Sequence, residues 1–225
     1  LHLSLRRQRQ MCIRDSKRTA TEIKDNMFNE LSGSESNLIA YYKMTDESGS
    51  TVSDNSSNSS NGTISGASWV TSNAPIGIIF SAYQYDIEGL WENTGTSDSE
   101  DSNGLKMSVS STLAEANFVI FGNNNDNSGT TSSDISGISL RSKREWHLDE
   151  TGTVSADVKI DIGDATGHTG TISAASNYRL LYKTCGVCTF VELETGDSVS
   201  GDIVTFSSVA IKDGIYAIAS TDSNL

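Results

Sequence analysis

Residues 38–69 read LIAYYKMTDESGSTVSDNSSNSSNGTISGASW and switch between strand-like and turn-like composition. The first six residues place apolar side chains on both faces of an extended chain, which is typical of a strand covered on both sides. An acidic Gly/Ser turn and an Asn-rich loop follow, and their residue types tolerate left-handed backbone angles. Residues 63–70 alternate again before Ala74 and Pro75 end the pattern. This order predicts two strands and a buried Trp69 in a β-sandwich.

A short amphipathic helix is predicted immediately before this stretch. Thr19 and Glu22 stand at the two ends of a capping box, and Gly33 stands where a C-terminal cap belongs. The apolar residues between them recur at helical spacing: Ile23, Met27, Phe28 and Leu31. We expect this apolar face to pack on a sheet.

The segment from Arg18 to Val70 resembles part of the laminin-G-like, concanavalin A-like jelly-roll domains of secreted bacterial proteins. The resemblance rests on the capping box, the strand after Leu38, the loop at Asp54 and Trp69, in that order. It covers about a quarter of the chain. Because such domains are longer than this segment, the resemblance implies that residues 17–78 are the C-terminal part of a jelly roll, with an isolated remnant of one as the alternative.

Residues 1–16 read LHLSLRRQRQMCIRDS and are basic, with four arginines and one aspartate. No apolar run in them is long enough for a signal peptide. The segment resembles translated sequencing-adapter sequence on reading frames assembled from environmental reads, so we expect an artefact or a disordered tail on a metagenomic fragment. A nucleic-acid-binding arm is disfavoured, because no aromatic residue interleaves with the arginines.

The rest of the chain is strongly acidic. The whole chain carries 16 Lys and Arg against 29 Asp and Glu, a net charge of −13. Without residues 1–16 the counts become 12 and 28, a balance of about −16. Such a surface repels nucleic-acid phosphates and anionic membranes and suits solubility outside the cell or cation binding. We therefore expect a secreted or cell-surface protein that neither binds nucleic acid nor inserts into a membrane.

The chain after residue 78 is predicted to form a second module. Residues 79–104 are expected to hold a linker and a leading strand, and residues 105–225 show strand-like segments between Gly, Asn, Asp and Ser turns. The clearest strand is 154–162, whose apolar residues alternate with polar ones. A register shift of one residue would bury its charges, so we expect it to be half-buried and antiparallel to its neighbours. The predicted fold class is all-β, a jelly-roll-like antiparallel β-sandwich with one short N-terminal helix.

A second resemblance covers most of residues 79–225. The segments 116–124, 144–152 and 214–219 are similar to a module of surface proteins from gliding bacteria that use type IX secretion. In that family a pair like Arg144 and Trp146 leads into the long alternating strand. The resemblance implies a β-sandwich at the cell surface and implies no enzymatic activity.

Cys185 and Cys188 frame a tight turn between two predicted strands. Two cysteines at the first and last positions of such a turn can come within the ~7 Å Cα separation that a disulfide allows. Closing so small a ring contributes only about 2 kcal/mol on the loop-entropy estimate. A thioredoxin-like redox motif would need a helix here, and a zinc site would need a second ligand pair, so both alternatives are less favoured.

One loop carries a candidate calcium site formed by Asp54, Asn55, Asn58 and Asn61. Their oxygen atoms are the kind of ligand that calcium prefers. Their spacing matches neither an EF-hand nor an RTX repeat, so a plain Asn/Ser turn is the alternative. Calcium is the only cofactor that the sequence suggests, and none is required.

Asp161, Asp164 and His168 could form a second cation site, although a solvent-facing hairpin is favoured there. Tyr83 and Trp91 are candidate binding residues, because exposed aromatic rings stack on sugar faces. The other tryptophans, Trp69 and Trp146, are expected in the core.

The sequence offers no complete catalytic constellation. Asp86, Glu88 and Glu92 come nearest to the paired carboxylates of jelly-roll glucanases, but Gly89 interrupts the strand on which such a pair would stand. A nucleophile elbow, G-x-S-x-G, does not occur either. We therefore expect no catalytic residue and a non-catalytic binding or adhesion fragment of a larger secreted surface protein, with a glycan or a cell-surface protein as partner. The alternatives are an accessory region of a secreted polysaccharide-degrading enzyme and a structural spacer.

Overall fold

The computed structural model describes residues 19–20, 23, 26–70, 74–99, 103–132 and 135–225. The chain divides into two compact units, Leu1–Ala74 and Pro75–Leu225, and each is described by itself. The tail predicted at residues 1–16 lies outside the described residues.

The first unit contains little regular secondary structure. Among its described residues, the one ladder is the antiparallel pair β1 (Thr51–Val52) and β2 (Gly62–Thr63). The strands predicted at residues 38–43 and 63–70 are therefore wrong over most of their length. Trp69 is half-buried rather than part of a core.

A single carboxylate, that of Asp54, organises the loop between the two predicted strands. Oδ1 of Asp54 accepts hydrogen bonds from the backbone N–H groups of Tyr41 at 2.7 Å and Ser56 at 2.9 Å. Its Oδ2 accepts from the N–H of Ser60 at 2.7 Å and from the Ser56 hydroxyl at 2.9 Å. The N–H group of Tyr41, which lies in the first predicted strand, is thus bound by a side chain, which is how aspartate competes with secondary structure.

The predicted helix lies partly outside the described residues, including Glu22 of its capping box. Within the described part, the N–H of Ile23 donates to the Thr19 carbonyl at 3.1 Å, as in one helical turn. The predicted packing face is wrong for two of its members, because Ile23 and Met27 are exposed. Phe28 is buried as expected.

The second unit consists mainly of strands. In chain order they are β3 (Tyr85–Trp91), β4 (Ser97–Ser99), β5 (Leu105–Ser108), β6 (Phe118–Asn123), β7 (Thr130–Ser132), β8 (Leu140–Ser142), β9 (Trp146–Thr151), β10 (Ser155–Asp161), β11 (Tyr178–Lys183), β12 (Val191–Thr195), β13 (Ser198–Ser200), β14 (Ile203–Ala210) and β15 (Gly214–Ser220). A short α-helix and three 3₁₀ turns are also described: Ile162–Thr166, Ser81–Tyr83, Glu92–Thr94 and Ala175–Asn177.

These strands form two antiparallel sheets, which confirms the predicted all-β fold class. Within the described residues, one sheet has five strands in the order β13-β14-β10-β5-β4. The other has eight, in the order β12-β11-β15-β9-β6-β3, with β7 paired to β8 and β8 paired to β15. Because β8 and β9 pair with successive parts of β15, they lie one after the other along the same side of that strand, with a bend at residues 143–145 between them.

The two sheets enclose one apolar core. The eight-stranded sheet contributes Leu90, Val119, Phe121, Trp146, Leu148, Tyr178, Leu180, Tyr216 and Ile218, and the five-stranded sheet contributes Leu105, Met107, Ala156, Val158, Ile160, Val204 and Phe206. Trp146 is fully buried, as predicted. The predicted alternation along β10 is also confirmed, since its apolar residues are buried and the polar residues between them are not.

Residues 92–99 fall in the segment that was expected to hold a linker, but they belong to the sandwich itself. A 3₁₀ turn at Glu92–Thr94 follows β3, and β4 then pairs with β5. Because β3 and β4 lie in different sheets, this segment carries the chain from one sheet to the other. The second unit begins at Pro75, so residues 75–78 also belong to it.

The outer face of the eight-stranded sheet is buried as well. Every residue of β15 is buried, although only alternate ones can face the core. Part of the cover is a strap formed by residues 75–83. The strap lies close to the sheet, because a Cβ atom on Gly77 would stand 1.9 Å from Oδ2 of Asp149. The N–H of Ile78 donates to that same oxygen at 2.7 Å.

Candidate functional site

Charged and aromatic side chains gather on the outer face of the eight-stranded sheet. We refer to Tyr83, Arg141, Glu145, Lys183 and Phe190 as the outer-face cluster. Tyr83 ends the strap, Arg141 lies on β8, and Lys183 ends β11. Glu145 lies in the bend before β9, and Phe190 immediately precedes β12. Segments that are distant in sequence therefore meet at one place on the sheet.

Glu145 is the centre of this cluster. Its Oε1 accepts from Nη1 of Arg141 at 3.0 Å, and its Oε2 accepts from Nζ of Lys183 at 3.0 Å and from the Tyr83 hydroxyl at 2.8 Å. The side chains of Glu145 and Lys183 are nearly inaccessible to solvent. Two cations against one carboxylate leave a formal excess of one positive charge. Because such charges interact strongly away from water, this pairing fixes the local geometry.

Both cations, Arg141 and Lys183, lie over the aromatic ring of Phe190. The guanidinium carbon of Arg141 lies 5.0 Å from the ring centroid, and Nζ of Lys183 lies 4.3 Å from it. Both distances fall in the range of cation–π attraction. Nη1 of Arg141 donates a further hydrogen bond to the Ser142 carbonyl at 2.9 Å. The position of the guanidinium is therefore set by a ring, a carboxylate and a backbone carbonyl.

One edge of this guanidinium is open. Neither Nε nor Nη2 of Arg141 makes a hydrogen bond to any residue that the structure describes. The Arg141 side chain is 22% exposed, so solvent or a ligand can reach it. The cluster thus combines buried charges with one accessible pair of N–H donors.

His147 lies under the strap beside the cluster. It is 2% exposed, and its ring packs at a tilt against Phe80, with 3.9 Å between the ring centroids, and against Tyr83, with 6.0 Å between them. Burial lowers the pKa of His147 to about 4, although the charge of Asp213 acts in the opposite direction. Its Nδ1 has no hydrogen-bond partner among the described residues. His147 is therefore neutral at physiological pH and serves as a flat packing surface.

Burial also raises the pKa of Tyr83, and the hydrogen bond to Glu145 acts in the same direction. The phenol therefore stays protonated and keeps donating to the carboxylate. A tyrosinate nucleophile or base is not available at this position at neutral pH.

The predicted disulfide joins Cys185 and Cys188, with 5.1 Å between their Cα atoms. It closes the turn between β11 and β12, and Val187 at the tip is 99% exposed. Nζ of Lys183 also donates to the Gly186 carbonyl inside the turn at 3.4 Å. The exposed tip is thus connected to the outer-face cluster.

The candidate calcium residues hold their own loop together. Both carboxylate oxygens of Asp54 accept from N–H or O–H donors, and the Asp54 N–H donates to Oδ1 of Asn61 at 2.9 Å. Nδ2 of Asn58 donates to the Ile39 carbonyl at 2.9 Å. Such contacts are typical of a plain Asn/Ser turn, which is the alternative to a calcium site here. Calcium binding at Asp54, Asn55, Asn58 and Asn61 stays a prediction.

The electrostatics of Asp54 agree with this structural role. Burial opposes its ionisation, but the N–H donors of Tyr41, Ser56 and Ser60 outweigh burial and lower its pKa to about 2. Across the part of the chain that the structure describes, no three His, Cys, Asp or Glu side chains are grouped so that they could hold a metal ion.

Neither Tyr83 nor Trp91 is exposed, contrary to the expectation on which their predicted sugar-stacking role depends. Tyr83 is 7% and Trp91 is 9% exposed. Tyr83 ends the strap and points into the outer-face cluster. Trp91 lies opposite Phe118 of β6, and its backbone N–H donates to Oγ1 of Thr94 in the following turn at 2.9 Å.

The hairpin favoured around Asp161 and Asp164 is also wrong. Oδ1 of Asp161 accepts from the N–H of Asp164 at 2.9 Å and caps the helix Ile162–Thr166. Burial raises the pKa of Asp164, and the neighbouring carboxylates of Asp161 and Asp202 raise it further. These carboxylates therefore repel one another.

A shallow groove of about 200 Å³ lies on the five-stranded sheet. Serines from β5, β10 and β14 line it together with Asp157, whose Oδ1 accepts from the Ser208 N–H at 2.9 Å. The groove has neither the fixed cations nor the aromatic ring of the outer-face cluster. We therefore regard the cluster as the better candidate site.

Sequence reasoning did not identify Arg141, Glu145, Lys183 or Phe190 as functional residues. The sequence does contain a hint at Lys183, which follows the apolar residues of β11. A lysine at the end of a buried strand needs a partner for its charge. Arg141 and Glu145 are four residues apart, a spacing that suggests an ion pair on a helix. They lie instead on a strand and in a bend, so this spacing would have predicted the wrong secondary structure.

Residues 83–215 match the model of a family described as a domain of unknown function (DUF8202). The match covers more than half of the chain. The chain belongs to the DUF8202 family. The DUF8202 match begins at the last residue of the strap, ends within β15, and includes every residue of the outer-face cluster. No curated protein and no solved structure matches the chain.

Helices in the described residues are short, and none of them has the length and apolar character to cross a membrane.

Proposed function

We propose that this chain is a non-catalytic binding or adhesion module of a secreted or cell-surface protein. The observation that carries the proposal is the disulfide between Cys185 and Cys188 at an exposed turn. Disulfides persist in oxidising surroundings and are rare in the cytosol, so the bridge favours a location outside the cytoplasm. In the same proposal, the first unit is the end of a laminin-G-like jelly roll, and the second is a surface module of the type IX secretion kind.

The shape of the disulfide turn supports a contact role. Val187 projects almost completely into solvent, while Cys185, Cys188 and the bond from Lys183 restrain the backbone around it. A restrained apolar tip loses little conformational entropy when it meets a partner. The turn is thus suited to contact a glycan or a cell-surface protein.

The chemistry of the outer-face cluster favours binding over catalysis. Glu145 already accepts from Arg141, Lys183 and Tyr83, so its oxygens are engaged in holding the cluster. A general base must instead reach the proton of a substrate. Arg141 offers open donors, which suit recognition of a ligand.

The experiment is a binding assay with a parallel test for turnover. The full chain, produced in an oxidising compartment, is passed over a glycan panel and over intact bacterial cells, and released reducing ends are measured on the same panel. We expect saturable binding without release of sugar. Release of sugar would instead support the enzyme-accessory alternative, and binding to nothing would support the spacer.

A variant pair sharpens this experiment. Val187→Asp should weaken binding, because it places a charge on the apolar tip. Val70→Asp is the matched control, since Val70 is also a solvent-exposed valine, at 80%, but lies in the first unit. Equal loss in both variants would contradict a specific role for the disulfide turn.

A further inference from the structure

We propose that Arg141 is the recognition residue of a carboxylate-binding site on the outer face of the eight-stranded sheet, and that its ligand is a uronic-acid sugar in a glycan. This inference rests on the proposed binding function, and it names both the site and the chemical class of the ligand.

The first reason is that the guanidinium is held in place before any ligand arrives. It packs on the Phe190 ring at 5.0 Å, and its Nη1 donates to Glu145 at 3.0 Å and to the Ser142 carbonyl at 2.9 Å. An ordinary surface arginine loses side-chain entropy when it binds a ligand. Arg141 has already lost most of that freedom on folding.

The second reason is the geometry of the open edge. Nε–H and Nη2–H are parallel donors in the guanidinium plane, along one of its edges, and this pair matches the two oxygens of a carboxylate. Neither donor is bonded to a described residue, and the side chain is accessible. The site can therefore accept a bidentate carboxylate without breaking any contact that the structure shows.

The third reason is charge. Arg141 and Lys183 together exceed the single charge of Glu145 by one. A ligand with one carboxylate would make this site neutral. Because the chain carries a net charge of −13, a densely charged partner would be repelled over longer distances. A glycan with occasional uronic acids fits both conditions better than an acidic peptide does.

The neighbouring strand supplies hydroxyl groups. Thr131 of β7 is the direct partner of Arg141 in β8, so the two side chains lie on the same face of the sheet. A threonine hydroxyl both donates and accepts hydrogen bonds, as the hydroxyls of a sugar do. The carboxylate of a uronic acid on Arg141 would thus place its ring hydroxyls near a suitable partner.

Arg179 provides a matched control on the same sheet. Ala219 of β15 pairs with Arg141 on one side and with Arg179 on the other, so both arginines lie in one row. In Arg179, however, Nε is bound to Glu192 at 2.9 Å, and Nη1 donates to the Ser176 carbonyl at 2.6 Å. Its Nε–Nη2 edge is therefore closed.

The test is a titration of the full chain with methyl glucuronide, in which the ¹⁵N NMR signals of the arginine Nε–H groups are monitored. Methyl glucoside and a short neutral peptide with a free C-terminal carboxylate are the comparison ligands. We expect methyl glucuronide to shift the Arg141 signal saturably, with methyl glucoside causing no shift. Arg141→Lys keeps the charge but loses the parallel donors, so affinity should fall about tenfold. Arg179→Lys should leave the affinity unchanged.

Three results would overturn the inference: no shift of the Arg141 signal in the wild type, equal binding of the neutral glucoside, or equal loss in Arg179→Lys. Tighter binding of the peptide would overturn the choice of a glycan. The wild-type signal needs no variant, so a poorly folded Arg141→Lys protein would not prevent the decision. Binding in the glycan or cell assay without a response at Arg141 would leave the proposed function intact and reject this site alone.

Discussion

The two faces of the eight-stranded sheet are both buried, but by different means. The inner face packs apolar side chains such as Phe121, Trp146 and Ile218 against the five-stranded sheet. The outer face buries Glu145 and Lys183 beneath the strap and the disulfide turn. The inner face needs only the right volume and polarity, whereas every charged group on the outer face needs a particular partner.

This difference separates stability from specificity. A buried ion pair seldom stabilises a protein more than apolar residues of similar size would, but removing one partner is costly. The outer-face cluster is therefore poorly explained as a device for stability alone. Its arrangement is explained by the fixed, open guanidinium of Arg141.

The largest expected effect comes from emptying the inner core. Phe206→Ala should lower the free energy of unfolding by about 3–5 kcal/mol, because it removes a fully buried ring and leaves a cavity. Urea unfolding followed by fluorescence measures this change. Phe80→Ala, which removes a partly exposed ring from the strap, is the control and should cost much less. Similar losses would mean that the core is not where the sheets hold together.

Removing the central carboxylate of the outer face should be the next most costly change. Glu145→Ala leaves Arg141 and Lys183 without their shared partner, and we expect a loss of about 3 kcal/mol in the same urea assay. Glu192→Gln breaks the exposed ion pair with Arg179 and should cost less than about 1 kcal/mol. A small effect of Glu145→Ala would show that the outer face does not depend on its pairing.

The buried imidazole should make stability depend on pH. The pKa of His147 is about 4 in the folded protein against 6.5 ordinarily, so the unfolded chain takes up a proton first as the pH falls. The neutral imidazole of His147 makes its full contribution to the free energy of unfolding above pH 6.5. As the pH falls toward 4, the free energy of unfolding should decrease by up to about 3 kcal/mol. Urea unfolding across this range measures the loss.

The variant His147→Phe is the control for this pH dependence, because it keeps a ring under the strap but cannot take up a proton. Asp54 and Asp222, whose folded pKa values are about 2, lose their contributions only below about pH 4, outside the window. An unchanged pH profile in His147→Phe would assign the dependence to other groups.

The smallest expected effect belongs to the disulfide. Replacing Cys185 and Cys188 together with serine should lower the free energy of unfolding by about 2 kcal/mol, because the bridge closes a very short loop. Thermal unfolding of the variant and of the oxidised wild type gives the difference. A loss as large as that of Phe206→Ala would mean that the turn also supports the sheet.

The inner face could be predicted from the sequence because strand periodicity determines it. Along residues 154–162 every second side chain is apolar, and burial follows that pattern residue by residue. Trp146 was expected in the core for a different reason, the general tendency of tryptophan to be buried, and that reason failed for Trp69. Local alternation is sufficient whenever one face of a strand is apolar.

The outer face and the first unit could not be predicted in this way. Arg141, Glu145 and Lys183 come together only because β8, β11 and the bend before β9 meet beside β15, and sequence spacing does not reveal that pairing. In the first unit, the Asp54 carboxylate binds the backbone N–H group of Tyr41, which lies in a predicted strand. Both errors arise where side chains, and not the periodicity of the backbone, determine the structure.

Arg141 is rigidly held and yet open to a ligand. Its Nε–H group should show a large ¹⁵N heteronuclear NOE, as in ordered parts of a protein, together with fast hydrogen exchange with water. The Nε–H group of Arg179, which is bound to Glu192, should exchange more slowly. A small NOE at Arg141, as in a mobile surface arginine, or exchange as slow as that of Arg179 would contradict the account.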